Sequence, residues 1–220
     1  MKKLLLILTA ALLTTPVFAQ LEQGQHLVGG RFGLAFQANS TGIHYGTEGF
    51  SVDWGSVGLE YSISYYYLLT KHLAVGGEFT FGDFSGWNVQ NLFSSDKVND
   101  DTLLFNNMLS ARLTANPDSR IRLYLPLGVG LVTAKQNLNI NTTEVQYHHK
   151  ATDNSIGWFG GLGLEADIGH QGWSWGLEAR YTAFWYDTNK LVRSAPATVK
   201  SGGVRRLDYL TFMLRVNKRF

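Results

Sequence analysis

The chain of 220 residues contains no cysteine, which excludes a disulfide framework and a thiolate metal site. Proline is scarce, with 4 residues, and the formal net charge is only +2. This charge gives no large basic field of the kind that nucleic-acid-binding proteins use, so we expect no nucleic-acid partner. Beyond residue 19, no apolar run approaches the roughly 18 residues that a membrane-spanning helix needs.

One short apolar run, Leu4–Leu13, lies near the N-terminus, after two lysines and before the small residues that end at Ala19. This arrangement is typical of a secretory signal peptide, whose apolar segment is too short to span a bilayer. We expect cleavage after Ala19, so residues 1–19 are the signal peptide and residues 20–220 form one domain. The alternative is a membrane anchor that the mature chain retains.

The rest of the chain shows alternation with a period of two residues, which is typical of a strand with two unlike faces. In VGLEYSISYYYLL, the odd positions from Val57 to Tyr67 are apolar or aromatic, whereas the even positions from Gly58 to Ser64 are small or polar. Eight such segments predict strands at about 26–37, 56–69, 72–84, 103–115, 121–133, 156–168, 173–186 and 207–220.

The connections between these segments alternate strictly between short and long. The short ones are 70–71, 116–120 and 169–172, and the long ones are about 38–55, 85–102, 134–155 and 187–206. This sorting is typical of a transmembrane barrel, which has short turns on the periplasmic side and longer loops outside. An even number of strands also places both chain ends on the periplasmic side.

The last predicted strand, DYLTFMLRVNKRF, places Phe212, Leu214 and Val216 on alternate positions before Phe220. With the other features, it resembles the small eight-stranded outer-membrane β-barrel family, which includes the OmpA membrane domain, OmpX-like proteins and porin-like barrels. In that family the barrel-assembly machinery reads the last strand, so the resemblance implies an assembly signal at Phe212, Leu214, Val216 and Phe220. Lys218 departs from the pattern.

The resemblance implies an all-β fold: an eight-stranded antiparallel up-and-down transmembrane β-barrel with short periplasmic turns and four long extracellular loops. It implies a location in the bacterial outer membrane, in contact with membrane lipid and lipopolysaccharide. The apolar faces would then point toward lipid, with aromatic girdles near both ends of the barrel.

The opposite faces would point into the lumen, and they collect an unusual set of charges. The odd or even position of a residue along its strand, which we call strand parity, decides which face it occupies. The residues with inward parity include Arg31, Glu60, Glu78, Arg112, Arg122, Glu165, Glu178, Arg180 and Arg215, and Asp167 lies near the periplasmic end. Our hypothesis is a layered Arg–Glu network, because buried charges persist only when they are paired. We expect Arg31, Glu78, Glu178, Arg180 and Arg215 to lie at one height. Because eight strands enclose a lumen that side chains can fill, we expect a plugged barrel.

We expect no catalytic residue, cofactor or metal site. The adjacent His148 and His149 would point to opposite faces of a strand, and a solvated loop pair is the better interpretation. An enzyme active at a barrel rim needs a nucleophile with an oriented partner. Ser155 near His148 is the one arrangement of that kind, and nothing in the sequence orients it.

Three alternative functions fit a barrel of this kind. The first is a non-enzymatic barrel that stabilises the envelope or contacts an unidentified extracellular ligand through its loops. The second is a narrow channel for ions or small solutes, and the third is a lipid A-modifying enzyme. Aromatic residues in or beside the predicted loops fit a recognition surface or an upper girdle: Tyr45, Phe50, Trp54, Phe84, Trp87, Phe93, Tyr147 and Tyr186.

Overall fold

The alternating segments pair edge to edge in the computed structural model, which describes residues 21–38, 43–45, 50–52, 57–84, 97–141, 146–168, 171–190, 192, 193, 195 and 199–220. The predicted signal peptide and the loop residues Trp54, Trp87 and Phe93 lie outside these ranges. In the described residues the strands are β1 (His26–Gln37), β2 (Ile43–Tyr45), β3 (Phe50–Val52), β4 (Val57–Leu68), β5 (Leu73–Asp83), β6 (Lys97–Thr114), β7 (Ile121–Asn141), β8 (Gln146–Ile168), β9 (Trp173–Asp187), β10 (Val199–Lys200) and β11 (Val204–Arg219). A short 3-10 helix covers Thr188–Lys190.

Eight of these strands form a closed antiparallel barrel in the order β1-β4-β5-β6-β7-β8-β9-β11, and β11 returns to β1. The closing pair runs from Leu27 opposite Arg219 to Gln37 opposite Tyr209. The short strands β10, β2 and β3 form a separate three-stranded sheet. Closure leaves no free edge along the paired length of the wall, and it confirms the predicted up-and-down barrel. No helix in the described ranges is both long and apolar enough to cross a membrane.

The outer wall exposes large apolar side chains, of which Leu109 at 75% and Ile63 at 66% are among the most exposed. Exposed aromatic side chains form one group near the short turns, which includes Tyr65, Tyr67, Trp173 and Trp175. A second group lies toward the long connections and includes Phe79, Trp158 and Trp185. A continuous apolar wall between two aromatic girdles is the arrangement of a barrel surrounded by hydrocarbon.

Strand bounds agree with the predictions at the short turns and differ at the opposite end. There β6 begins at Lys97, β7 continues to Asn141 and β8 begins at Gln146, so most of the predicted connection at 134–155 is an extended hairpin. The prediction of a loop was wrong because the polarity of the two faces reverses within β7. Leu131 points outward and is exposed, whereas the next residue, Val132, points inward and is buried.

Beyond this reversal the interior of the barrel is mainly apolar, and the polar side chains of Thr102 and Gln136 are also buried there. A cluster of buried side chains fills it, and its members come from six of the eight strands and one connection: Ala35, Phe84, Leu104, Met108, Val132, Ala134, Leu138, Ile140, Phe159, Phe184, Tyr186, Leu207 and Tyr209. Phe84 and Tyr186 are therefore interior residues, which corrects their assignment to a loop surface or a girdle. An inward apolar face with a polar outer face indicates that this part of the wall lies outside the hydrocarbon, in a polar environment.

A smaller apolar cluster closes the end of the lumen near the short turns. Leu21, which precedes β1, packs with Leu27, Tyr66, Leu68 and Ala74, and it is only 3% exposed. The turn that returns the chain to this position has Gly24 at φ +88°, a left-handed conformation that glycine adopts without steric cost. The lumen therefore has an apolar cluster toward each end, and at the short-turn end this cluster lies beside charged residues, since Leu27 pairs with Arg219.

Candidate functional site

The predicted lumen residues all lie inside the barrel. Each of the nine is buried, from Arg122 and Glu165 at 0% exposure to Arg31 and Glu78 at 4%. They come from all eight barrel strands, and each has the strand parity opposite to that of the exposed apolar residues beside it. Asp167 is also buried, at 5%. Period-two alternation thus places charge inside because the apolar side chains occupy the outer face.

Two arginines and two glutamates form a closed ionic square across the lumen. The Arg31 Nη1 atom donates to Glu178 Oε1 at 2.9 Å, and its Nη2 atom donates to Glu78. The Arg180 Nη1 atom lies 2.8 Å from Glu78 Oε2, and its Nη2 atom lies 2.6 Å from Glu178 Oε1. Arg215 joins from β11, with Nη1 at 3.3 Å from Glu178 Oε2. We call these five residues the upper ion layer.

A second group of ion pairs lies closer to the short turns. Glu165 accepts from Arg112 Nη1 and Arg122 Nη2, each at 2.9 Å. Asp167 accepts from Arg122 Nη1 at 2.7 Å and from Arg219 Nη2 at 2.8 Å. We call these five residues the lower ion layer. Arg219 was not among the predicted residues, although it has the same inward parity on β11 as Arg215 and could have been found that way.

Polar and aromatic side chains join the two layers. The Tyr124 hydroxyl donates to Glu178 Oε2 at 3.0 Å, and the Arg112 guanidinium carbon lies 3.9 Å from the centre of the Tyr124 ring. Arg215 Nε donates to Asn217 Oδ1 at 2.7 Å, and the Asn217 amide also donates to Glu165. Each guanidinium therefore contacts several partners, which the planar geometry of arginine favours.

Glu60 is the predicted residue that the structure does not bring into the ion pairs. It is 1% exposed and accepts a hydrogen bond from the Thr211 hydroxyl at 3.4 Å. In the described residues, no ion pair joins it to an arginine. Glu60 lies on the long-loop side of the upper ion layer, where the lumen becomes apolar. Strand parity places a residue inside the barrel but does not select its partner.

The arrangement can stabilise the barrel and fill its lumen. In the described ranges, no group of three or more histidine and carboxylate side chains could hold a metal ion. His148 and Ser155 lie seven positions apart on β8, which is roughly 23 Å along an extended strand. The His148–Ser155 arrangement considered from the sequence is therefore not formed.

The residues predicted to form an assembly signal lie on the outer face of the last strand and beyond it. Phe212, Leu214, Val216 and Phe220 are all exposed. The Lys218 ammonium nitrogen lies 5.2 Å from the Trp173 ring centre and 5.8 Å from that of Phe220. It also donates to the Gln171 backbone oxygen. Recognition of this face by the assembly machinery stays a prediction.

The family model of the outer membrane protein β-barrel domain matches residues 5–217 of the chain. No curated protein matches in the sequence search. The crystal structure of OprG from Pseudomonas aeruginosa is similar with a TM-score of 0.55, and it is 12% identical over 92% of this chain and 99% of its own. A major outer membrane protein from Thermus thermophilus has a TM-score of 0.51, and it is 9% identical over 90% of this chain and 100% of its own.

These two solved structures share the barrel fold with the protein at low sequence identity. The family model covers nearly all of the sequence, including all eight barrel strands except the last two residues of β11. The match agrees with the closed sheet, the exposed apolar wall and the two aromatic girdles. The protein therefore belongs to the outer membrane protein β-barrel family and is an integral protein of the bacterial outer membrane.

Proposed function

We propose that the protein is a non-enzymatic outer-membrane barrel with a closed lumen, which acts in envelope structure and through contacts of its extracellular surface. The observation that carries this proposal is that buried side chains fill the lumen along the barrel axis. At the periplasmic end the Leu21 cluster and the lower ion layer lie side by side, since Leu27 pairs with Arg219 and Ala74 with Arg112; the upper ion layer and then the cluster around Phe84 follow. An ion that moved along this axis would meet packed, buried side chains at every level and an apolar cluster at the extracellular end.

The extracellular cluster is the strongest barrier to conduction. The Phe84 and Tyr209 rings meet edge to face with their centres 5.3 Å apart, and Leu104 and Phe184 in the same cluster are fully buried. Moving a hydrated ion through such a cluster removes its water without offering a replacement ligand, which is costly. Below it, the Arg180 guanidinium carbon lies 3.7 Å from the Phe159 ring centre, so the ion layer packs directly against the cluster.

Single-channel recording in planar lipid bilayers tests the closed lumen. The wild-type protein should show no steady openings under conditions in which a general porin, inserted in the same bilayer, conducts. Steady openings of the wild-type protein would contradict the proposal and would support the narrow channel. Heat-modifiable mobility on SDS gels should be measured with each recording. It distinguishes a folded barrel that does not conduct from a protein that has not folded into the membrane.

Mass spectrometry of lipid A tests the absence of enzyme activity. Lipid A from cells that produce the protein should have the same acyl and phosphate composition as lipid A from cells that lack it. The physical reason is that His148 and Ser155, the pair considered from the sequence, lie seven positions apart on β8 and do not contact each other. A new lipid A mass that depends on His148 or Ser155 would overturn this part of the proposal.

A further inference from the structure

We infer that the outward face of the β7–β8 hairpin binds the phosphorylated saccharide headgroup of an outer-leaflet glycolipid. Five cross-strand pairs make up this hairpin face: Thr133 with Asn154, Lys135 with Thr152, Asn137 with Lys150, Asn139 with His148, and Asn141 with Gln146. From Thr133 to Asn141, it extends for about 27 Å along the strand. It goes beyond the closed lumen, because it concerns the outside of the wall.

The hairpin face is hydrophilic, but it contains no carboxylate. Five of its ten side chains are amides, two are hydroxyl groups, two are lysines and one is histidine. A water-exposed surface normally intersperses both signs of charge, because mixed charge keeps proteins soluble. In the described residues Lys135 and Lys150 form no ion pair, and the nearest acidic residue across β6 is Asp101, opposite Asn137. The chemistry of the hairpin face therefore favours an anionic, polyhydroxylated partner.

The position of the hairpin face identifies where that partner comes from. Leu131 and Ile156 lie on the same outer face just below the first pair, and they are 60% and 63% exposed toward the hydrocarbon. The Lys135 ammonium nitrogen lies 5.2 Å from the centre of the Phe105 ring, which packs against Phe81 in the upper girdle. The hairpin face therefore points sideways, starting at the level of the headgroups. At that height a lipid of the outer leaflet can lie against it.

The two lysines are spaced for a phosphate group. Lys135 and Lys150 occupy diagonal positions of neighbouring strands, where Cα atoms are about 7–8 Å apart. Two flexible ammonium groups at this spacing can contact one phosphate from both sides. Above them Asn139, His148 and Gln146 offer donors and acceptors to saccharide hydroxyl groups. Lipid phosphate thus lies next to the cations, and the sugar continues along the amides.

Native mass spectrometry of the full barrel in phosphatidylcholine nanodiscs tests this inference, with purified rough-type lipopolysaccharide as the probe. The wild-type protein should retain the glycolipid through collisional removal of other lipids. The variant K135Q/K150Q should bind about 30-fold more weakly, because each lysine near an anionic membrane surface contributes about a fivefold factor in affinity. The matched control is K71Q, which removes an exposed lysine at the periplasmic turn and should leave retention unchanged.

Further arms separate the possible sources of the anion. Dephosphorylated lipopolysaccharide and phosphatidylglycerol should each be retained more weakly than the intact glycolipid. Equal retention by K135Q/K150Q and the wild-type protein would overturn the inference, as would a soluble heparin oligosaccharide that binds as tightly as the glycolipid. If the double variant does not fold, K150Q alone should still weaken retention, because it removes one of the two cations. K150Q should fold, because Lys150 lies farther along the hairpin from the girdle than Lys135 does. Glycolipid retention does not depend on conductance, so this experiment and the test of the closed lumen can fail independently.

Discussion

Replacing Glu178 with alanine tests the lumen network at its most connected carboxylate. Oε1 of Glu178 accepts from Arg31 at 2.9 Å and from Arg180 at 2.6 Å. Oε2 accepts from Arg215 at 3.3 Å and from Tyr124 at 3.0 Å. All five side chains are buried, so no water from outside the barrel readily replaces the lost carboxylate. The variant leaves three guanidinium groups with fewer partners.

The remaining contacts set the size of the effect. Arg31 and Arg180 keep their bonds to Glu78, whereas Arg215 loses its ion pair and keeps its hydrogen bond to Asn217. The expected loss is therefore that of one broken buried ion pair, about 3–5 kcal/mol in the free energy of unfolding, rather than three times that value. Because the amide can still accept a hydrogen bond, Glu178→Gln should lose less.

Urea titration of the folded barrel in lipid vesicles measures this loss, with tryptophan fluorescence and heat-modifiable mobility as two readouts. Asp118→Ala is the matched control, because Asp118 lies 2.9 Å from Lys71 and both side chains are about half exposed. This control should change the free energy of unfolding by about 0–1 kcal/mol. If Glu178→Ala also stays within that range, the upper ion layer does not stabilise the barrel and the reasoning is wrong.

Three further predictions use the same folded barrel. Phe84→Ala should lower the free energy of unfolding by about 3–5 kcal/mol in the urea titration, and a change no larger than that of a surface mutation would contradict its interior position. Gly33→Ala should cost about 1–3 kcal/mol, because the new Cβ would lie 2.1 Å from a backbone oxygen of β11, whereas Gly30→Ala, whose nearest neighbour lies at 4.0 Å, should be nearly neutral. Asp153 lies outside the membrane, where burial opposes its ionisation, but its hydrogen bonds with Lys190 and a backbone N–H lower its pKa below the usual range. The stabilisation is present above the usual carboxyl pKa and disappears as the pH falls through the lowered value. Lys190→Ala should therefore make the thermal midpoint depend less on pH between neutral and acidic conditions. An unchanged pH profile in that variant would refute the pairing.

Much of the barrel follows from local pattern. The predicted bounds of β1, at 26–37, match the strand, and bounds near the short turns differ from the structure by at most one residue. The parity of each strand also places every predicted charge inside. Both results depend on one property: within the bilayer, one face of a strand contacts hydrocarbon and the other does not.

Parity could not identify ion-pair partners. The two carboxylates that Arg31 contacts lie 47 and 147 positions away in the sequence, so their proximity depends on barrel closure and register. Glu60 has the same parity but accepts from a hydroxyl group instead. The position of Leu21 likewise depends on a turn that returns the chain to the lumen, and no alternation marks it.

The sequence by itself determined the eight strands, the short turns and the set of charged residues that face inward, because alternation records which side of the wall is apolar. Only the tertiary structure decided how far the strands extend and which side chains pair. At Leu131 and Val132 the barrel leaves the hydrocarbon, a polar environment replaces it outside, and the apolar face moves inward. A local pattern reports the polarity of its two faces, but its meaning changes with height in the membrane, and only the closed barrel establishes that height.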